Sequence, residues 1–285
     1  MVPGRIYDKW VDRGRVDDKY DALGAPLQWQ YCGLVRGGCF QPFERGNIYH
    51  LAPATSAWVV RGAVLQRWGA GGWERSDVGY PIGDEWCASG GQSCLQEFER
   101  GLIAWYSEQG AYVVKGEIRK NWQVGKWGSG RYGYPSSEEN CGLRGGGCFQ
   151  TFGQGNGAGS IYWSPASGAH GVGGEIGRRW AAQRWETGAL GYPTTDEFCQ
   201  LRDNGCGQHF QGGSIYWSFN TGPQIVSGPI RDAYARDGWE AGRLGYPRGE
   251  VRMQGSGAGS YWIQDFQGGW ISVRPDGTGV YVGHF

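Results

Sequence analysis

Two rhythms of apolar and polar positions take turns along this chain, and they do so five times. In Gly174-Glu-Ile-Gly-Arg-Arg-Trp180 the apolar Ile176 and Trp180 lie four apart, on one face of a helix. The same pair recurs as Ile6/Trp10, Val64/Trp68, Ile118/Trp122 and Ile230/Tyr234. The pattern predicts a helix of roughly two to three turns, too short to be stable unless its apolar face docks on a sheet. A polar loop follows with a second tryptophan, at Trp73, Trp127, Trp185 and Trp239, and then a turn of the type Leu190-Gly-Tyr-Pro193. Beyond the turn the period becomes two. In Gln208-His209-Phe210, Gln and Phe share one face of a strand. The middle position varies as an outward one would: Pro42, Glu97, Thr151, His209, Asp265. A Gln211-Gly-Gly hairpin leads to a second strand, Ser214 to Trp217, and a third runs from Gln224 to Gly228.

The turn prolines are Pro26, Pro81, Pro135, Pro193 and Pro247, spaced 55, 54, 58 and 54 residues apart. A fixed period of this length marks an array of identical supersecondary units, each too small to bury a core without its neighbours. The expected fold is an α+β repeat protein of five units, each a short helix plus a three-strand meander. Their bounds are about 4–61, 62–115, 116–173, 174–227 and 228–283, within a single domain spanning 1–285. Gly4 and Gly283 occupy the same position of the repeat. Matched ends point to a closed, pseudo-five-fold, propeller-like ring. The degenerate terminal units leave an open array as the alternative.

Composition refines this reading. The chain has 55 glycines and 12 prolines, but 15% aromatic residues supply the burial that a disordered segment lacks. Its 27 basic and 27 acidic residues cancel, so nucleic acid is not an expected partner. No apolar run is long enough to span a membrane. The eight cysteines form four C-x6-C pairs that travel with the repeat: Cys32/Cys39, Cys87/Cys94, Cys141/Cys148 and Cys199/Cys206. Such pairs read as small disulfide loops, and zinc is the weaker alternative because C-x2-C spacing and paired histidines are missing. Persistent disulfides place the protein outside the cytoplasm. Repeat five carries Met253 and Ser260 at the cysteine positions.

Catalysis has little support. His50, His170, His209 and His284 do not recur, and neither a nucleophile elbow nor a phosphate-binding loop is present. Acidic pairs follow the turn at Asp84-Glu85, Glu138-Glu139 and Asp196-Glu197, with Glu250 alone in repeat five. Two carboxylates can hydrolyse a glycosidic bond, but a threefold recurrence favours capping of backbone N–H groups. No catalytic residue, cofactor or metal is expected. The aromatic run is the better candidate: Tyr162-Trp163 and Tyr216-Trp217, with Tyr49-His50 and Ala104-Trp105 as variants. Adjacent strand residues face opposite sides, so one of each pair should leave the core. An exposed ring beside Asp84, Glu138 or Asp196 would suit a sugar's C–H face and hydroxyls. Burial of both rings by the neighbouring unit is the competing reading, and the loop tryptophans share the ambiguity. Ser272-Val273 argues against such a site in repeat five.

Leu190-Gly-Tyr-Pro193, Val78-Gly-Tyr-Pro81, Tyr132-Gly-Tyr-Pro135 and Leu244-Gly-Tyr-Pro247 resemble the signature of the LGFP repeat family, with Tyr in place of Phe. Repeat one departs further, with Leu23-Gly-Ala-Pro26. The acidic pair, the Phe-x-x-Gly and the Ile-Tyr-Trp complete the resemblance, which covers essentially the whole chain. It implies a secreted or wall-attached protein of actinobacterial type, held non-covalently on the cell envelope through arabinogalactan or a related polysaccharide, often beside a catalytic domain in a longer parent. The expected function is that of a monomeric, non-catalytic carbohydrate-binding module with several similar inter-repeat sites. A protein-interaction or adhesion ring is the second reading, and a wall glycan hydrolase the third.

Overall fold

The structure, a computed structural model, describes residues 4–15, 23–52, 56–153 and 159–285. The chain forms two compact units, residues 1–139 and 140–285. The first contains helices α1 (Arg5–Arg15), α2 (Gly62–Ala70) and α3 (Gly116–Val124). Its two sheets are β1 (Tyr31–Cys32), β2 (Cys39–Phe43), β3 (Gly46–His50), β4 (Ala57–Val60), then β5 (Trp86–Cys87), β6 (Ser93–Phe98), β7 (Gly101–Tyr106), β8 (Gly110–Val114). The second contains α4 (Gly174–Ala182) and α5 (Gly228–Asp237) with three sheets. These are β9 (Asn140–Leu143), β10 (Gly147–Phe152), β11 (Gly159–Ser164), β12 (Gly168–Gly173); β13 (Phe198–Cys199), β14 (Cys206–Phe210), β15 (Gly213–Ser218), β16 (Gly222–Val226); and β17 (Arg252–Gln254), β18 (Tyr261–Phe266), β19 (Gly269–Val273), β20 (Tyr281–His284).

Every sheet is an antiparallel meander of four strands, one more than the sequence pattern suggests. The extra strand is the outer one, β1, β5, β9, β13 or β17. It is two to four residues long, so it has no alternation to read. In four sheets a disulfide across the first hairpin holds it, with Cys32 opposite Cys39, Cys87 opposite Cys94, Cys141 opposite Cys148 and Cys199 opposite Cys206. The five sheets are separate, and no closed ring or barrel is found among the described residues, in contrast to the ring expected from the matched ends.

Within each compact unit, a helix serves two sheets at once. In α2, Val64 and Trp68 pack on Phe98 and Ile103 of their own sheet and on Tyr49 of the sheet before. In α4, Ile176 and Trp180 pack on Phe210 and Ile215, and on Tyr162 of the sheet before. In α5, Ile230 and Tyr234 meet Phe266 and Ile271, and Tyr216 behind them. The helix tryptophan also latches the proline turn. The indole of Trp180 donates to the carbonyl of Gly191 at 3.0 Å, and Trp68 and Trp122 do the same to Gly79 and Gly133 at 3.1 and 2.9 Å. Gly191 has φ of 64°, a conformation that favours glycine.

Two further contacts join successive repeats. The last strand of each sheet is an edge, and its outward backbone groups need partners. In sheets one, three and four the next repeat supplies them with side chains. In β12, Gly171 donates its N–H to Asp196 Oδ1 at 2.7 Å, and its carbonyl accepts from Gln208 Nε2 at 2.9 Å. In β4, Val59 is held the same way by Asp84 Oδ1 (2.9 Å) and Gln96 Nε2 (2.7 Å). Gln264 Nε2 reaches Ile225 of β16 at 2.7 Å. Each glutamine, fully buried, spends its second N–H on its own proline loop: Gly83, Thr195 or Gly249.

The second contact is a tyrosine set into a disulfide loop. Tyr80, Tyr192 and Tyr246 of the Gly-Tyr-Pro turns donate their hydroxyls to the carbonyls of Val35, Arg144 and Arg202 at 2.6, 2.7 and 2.6 Å. Each acceptor lies inside the C-x6-C loop of the preceding repeat. Tyr134 likewise reaches Ser93 Oγ, at 2.7 Å, inside the Cys87–Cys94 loop. Glycines at 38, 147 and 205 leave room for the ring, since a Cβ there would collide with the tyrosine hydroxyl. Both halves of this lock are missing at the ends of the array. Repeat one has Ala25 where the others have tyrosine, and the loop of repeat five has no cysteines.

Two outcomes follow for stability. Gln208→Leu orphans the carbonyls of Gly171 and Thr195, and should cost at least about 2 kcal/mol, read as a fall in the thermal midpoint of several degrees. The lock should show as coupling. The pair Cys141→Ser/Cys148→Ser and the substitution Tyr192→Phe should each destabilise, and the combination should cost less than the sum by about 0.5–1 kcal/mol in a double-mutant cycle. Strict additivity would mean that the disulfide does not hold the acceptor.

Candidate functional site

The two members of each Tyr-Trp pair lie on opposite faces of the sheet and differ in burial. Tyr49, Tyr162 and Tyr216 are buried, edge-on to the next helix: Tyr49 to Trp68 and Tyr162 to Trp180 at 4.7 Å between ring centroids, Tyr216 to Tyr234 at 5.4 Å. Burial pushes the Tyr49 hydroxyl up to about 12, and those of Tyr162 and Tyr216 higher still. The following residue points the other way. Trp105, Trp163 and Trp217 are partly buried, and each stands opposite the second cysteine of its loop: Cys94, Cys148 or Cys206. On the other side each meets a small or ring-closed residue, Ala111, Ala169 or Pro223. The indole therefore lies between the disulfide strand and a small or ring-closed residue, and Trp105 and Trp217 also pack, partly buried, against the cores beside α2 and α4. His50 holds the matching place in repeat one.

The acids have structural partners. Asp84 binds Lys9 Nζ at 2.5 Å, Glu138 binds Arg67 at 2.6 Å, and Glu250 binds Arg179. Each cation sits one residue before the apolar anchor of the preceding repeat's helix. Asp84 and Asp196 also cap the edge strands. Among the second acids, Glu85 pairs with Arg61 at 3.1 Å and Glu139 with Lys115 at 3.7 Å, although burial lifts the Glu139 carboxyl above its ordinary range. Backbone capping, foreseen for the first acids, is thus their observed role at Asp84 and Asp196, with the difference that they cap the neighbouring repeat rather than their own turn.

Trp73, Trp127, Trp185 and Trp239 share a second peculiarity, a left-handed φ of 49–58°. A bulky residue there is strained. Packing holds three of them edge-on to the helix anchor, Trp73 on Trp68, Trp127 on Trp122 and Trp239 on Tyr234, at 5.1–5.7 Å. Trp73 and Trp185 remain 40% and 50% exposed.

In the first compact unit these features make a cavity of about 900 Å³. Trp105 and the Cys87–Cys94 disulfide form one wall. The Arg61–Glu85 ion pair, Arg45 and the start of α2 at Gly62 and Ala63 form the other. An aromatic face thus lies close to a carboxylate and two guanidinium groups. The disulfide sulfurs carry no thiol and offer no thiolate to a metal.

The sequence pattern marked Trp105 but not Arg45, Arg61 or Glu85 as its company, because nothing local links a hairpin turn of repeat one to a strand of repeat two. It also passed over exposed apolar side chains on and just before the outer strands. Leu27, Trp29 and Tyr31 stand out in repeat one, and Ile82 and Trp86 in repeat two, with Trp29 78% exposed.

The tyrosine environments predict the alkaline behaviour. An unfolded tyrosine titrates near 10, and the buried ones titrate higher. Between the two values the native state holds more protons than the unfolded state, so the tyrosines' contribution to stability is full below about pH 10 and is lost as pH rises through 10 to 12. Thermal midpoints measured from pH 8 to 11.5 should show this loss. Tyr216→Phe should shrink the slope above pH 10.

The sequence profile of the LGFP repeat matches residues 23–76, 78–130, 133–188 and 190–242. The sheet of repeat five lies beyond the last match. No curated protein sequence matches the chain. Among solved structures, a streptogramin B lyase aligns with 87% of this chain and 65% of its own, at 9% identity and a TM-score of 0.14. The extracellular domain of the one-component system BT4673 from B. thetaiotaomicron aligns with 93% of this chain and 28% of its own, at 11% identity and a TM-score of 0.15. The AfRom2 CNH domain aligns over 87% and 81%, at 8% identity and a TM-score of 0.17. The chain thus spans less than two thirds of the first two. Similarity this low carries no argument about fold or function.

Proposed function

Because the chain belongs to the LGFP repeat family and sets a partly exposed tryptophan opposite the second cysteine of three disulfide loops, we propose that it is a non-catalytic carbohydrate-binding module of the cell envelope. The observation that carries this reading is the Trp105 cavity. An indole face, a carboxylate and two guanidinium groups are the complement of a sugar ring, which offers one apolar C–H face and an equatorial belt of hydroxyls. Trp163 and Trp217 repeat the platform in the second compact unit. Several weak sites along one polymer give retention that no single site would, and a wall polysaccharide such as arabinogalactan supplies the repeated ligand.

The acids support the non-catalytic part of the reading. Asp84 and Glu138 are engaged by cations from the preceding helix, and Asp196 by a strand amide. Four disulfides suit an extracytoplasmic place of work. Among the described residues, no helix is long and apolar enough to cross a membrane. We take the chain to act as a monomer, with a catalytic domain of a longer parent as one companion. The second reading, a protein-interaction surface, rests on the exposed side chains of Leu27, Trp29, Tyr31, Ile82 and Trp86.

Co-sedimentation with delipidated actinobacterial wall, before and after removal of arabinogalactan, tests the proposal. The intact chain should be retained only where the polysaccharide remains. Trp105→Ala with Trp163→Ala and Trp217→Ala should weaken retention at least about tenfold while the fold persists by circular dichroism. Full retention by that triple variant, with loss on Trp29→Ala and Trp86→Ala instead, would move the interface to those exposed side chains.

A further inference from the structure

Sheet five breaks, on one face, a pattern that sheets one, three and four share. By strand alternation, Ile271 and Phe266 turn toward α5, so Trp270 and Ser272 turn away from it. On this far face of sheets one, three and four a tyrosine stands at the centre: Tyr49, Tyr162 or Tyr216. Its neighbour two residues earlier is small or polar: Asn47, Ser160 or Ser214. The tyrosine projects and meets the next helix. In sheet five the relief is inverted. Trp270 takes the small position, and Ser272 takes the tyrosine's. Across the strands Ser272 lies between Ile263 and Tyr281, and Trp270 lies between Asp265 and Gly283. The indole rests on Gly283, where a Cβ would collide with it.

The result is a hollow rather than a ridge. Its volume is about 900 Å³, with Ile263 and Ser272 as a buried floor and Trp270, Tyr261 and Tyr281 among its walls. Arg274 and Asp276 form a polar rim. That rim is ordered in advance. Arg274 N–H donates to the Thr278 carbonyl at 3.0 Å, and Asp276 Oδ1 accepts from the Thr278 N–H and hydroxyl at 2.9 and 2.7 Å. A helix that docks edge-on against a projecting tyrosine finds no such ring here.

We propose that repeat five carries a carbohydrate site of its own, a pocket that takes one or two units of a neutral glycan with a sugar face on Trp270. This rests on the reading of the chain as a carbohydrate binder, but it places a site where Ser272-Val273 argued against one. It also differs from the Trp105 platform in kind. The pocket comes from residues of one sheet, and its volume falls in the usual range of small-ligand sites.

The indole N–H signal of Trp270, assigned as the one lost from the ¹H–¹⁵N spectrum in Trp270→Phe, reports on the pocket. The probes are methyl arabinofuranoside, methyl galactofuranoside, methyl glucopyranoside and their disaccharides, added to the full chain up to about 10 mM. At least one should shift that signal saturably. Ser272→Tyr, which installs the side chain of repeats one, three and four, should abolish the shift, and Trp105→Ala should leave it unchanged. Arg274→Ala, at the exposed rim, should weaken binding about two- to tenfold without touching the floor. The pocket is overturned if no probe shifts the signal, or if the shift survives both Ser272→Tyr and Arg274→Ala. It is also overturned if light scattering finds a dimer that Ser272→Tyr abolishes, since the face then docks protein. Wall retention is read separately, so loss of the Trp270 response with retention intact removes this pocket alone.

Discussion

The unmet hydrogen bonds of a sheet edge are the constraint on which this molecule is built. A meander of four short strands ends in an edge whose inward half is buried by the next repeat, and a buried amide or carbonyl without a partner is costly. The chain meets the demand with two side chains rather than a fifth strand. One aspartate takes the amide, and one glutamine takes the carbonyl, of the same residue: Val59 in one sheet, Gly171 in another. The glutamine also binds its own proline loop, so a single amide group joins the strand before it to the turn beside it. Gln-x-Phe is therefore more than a strand pattern. Its phenylalanine fills the core under the helix, and its glutamine closes the edge of the neighbour.

The disulfides belong to the same scheme. A C-x6-C hairpin is small, and its cross-link contributes about 2–3 kcal/mol in the chain-entropy model. Its position matters as much as its energy. Each stapled loop presents an acceptor, a backbone carbonyl or the Ser93 hydroxyl, to the tyrosine of the next turn. A loop free to move would present it poorly. This accounts for the tyrosine in the turn, since phenylalanine has no hydroxyl to donate.

Scaffold and candidate site use the same strand for opposite ends. In Ile-Tyr-Trp the tyrosine turns to the next helix and the tryptophan lies opposite the disulfide, so one strand stabilises the junction and keeps a ring partly exposed. Alternation placed the two on opposite faces. It did not say which would be the more buried, because parity is relative until a helix is placed against one face. The acids show the converse. They looked like the most chemical feature of the chain, and most turned out to be bound to groups of the preceding repeat, some 25 to 75 residues away in sequence.

Five units, the helix with its i, i+4 pair, the glycine-proline turn, the inward faces of Gln-x-Phe and the four cysteine pairs were all legible in the sequence. Each depends on residues a few positions apart, and local periodicity reports which way such residues face. Tertiary structure alone decided the outer strand, the capping of one repeat's edge by the next, the tyrosine in the disulfide loop, the company of Trp105 and the inverted relief around Ser272. Each of these depends on which groups lie opposite across a sheet or a junction. That is set by packing between elements, and no periodicity within a single unit encodes it.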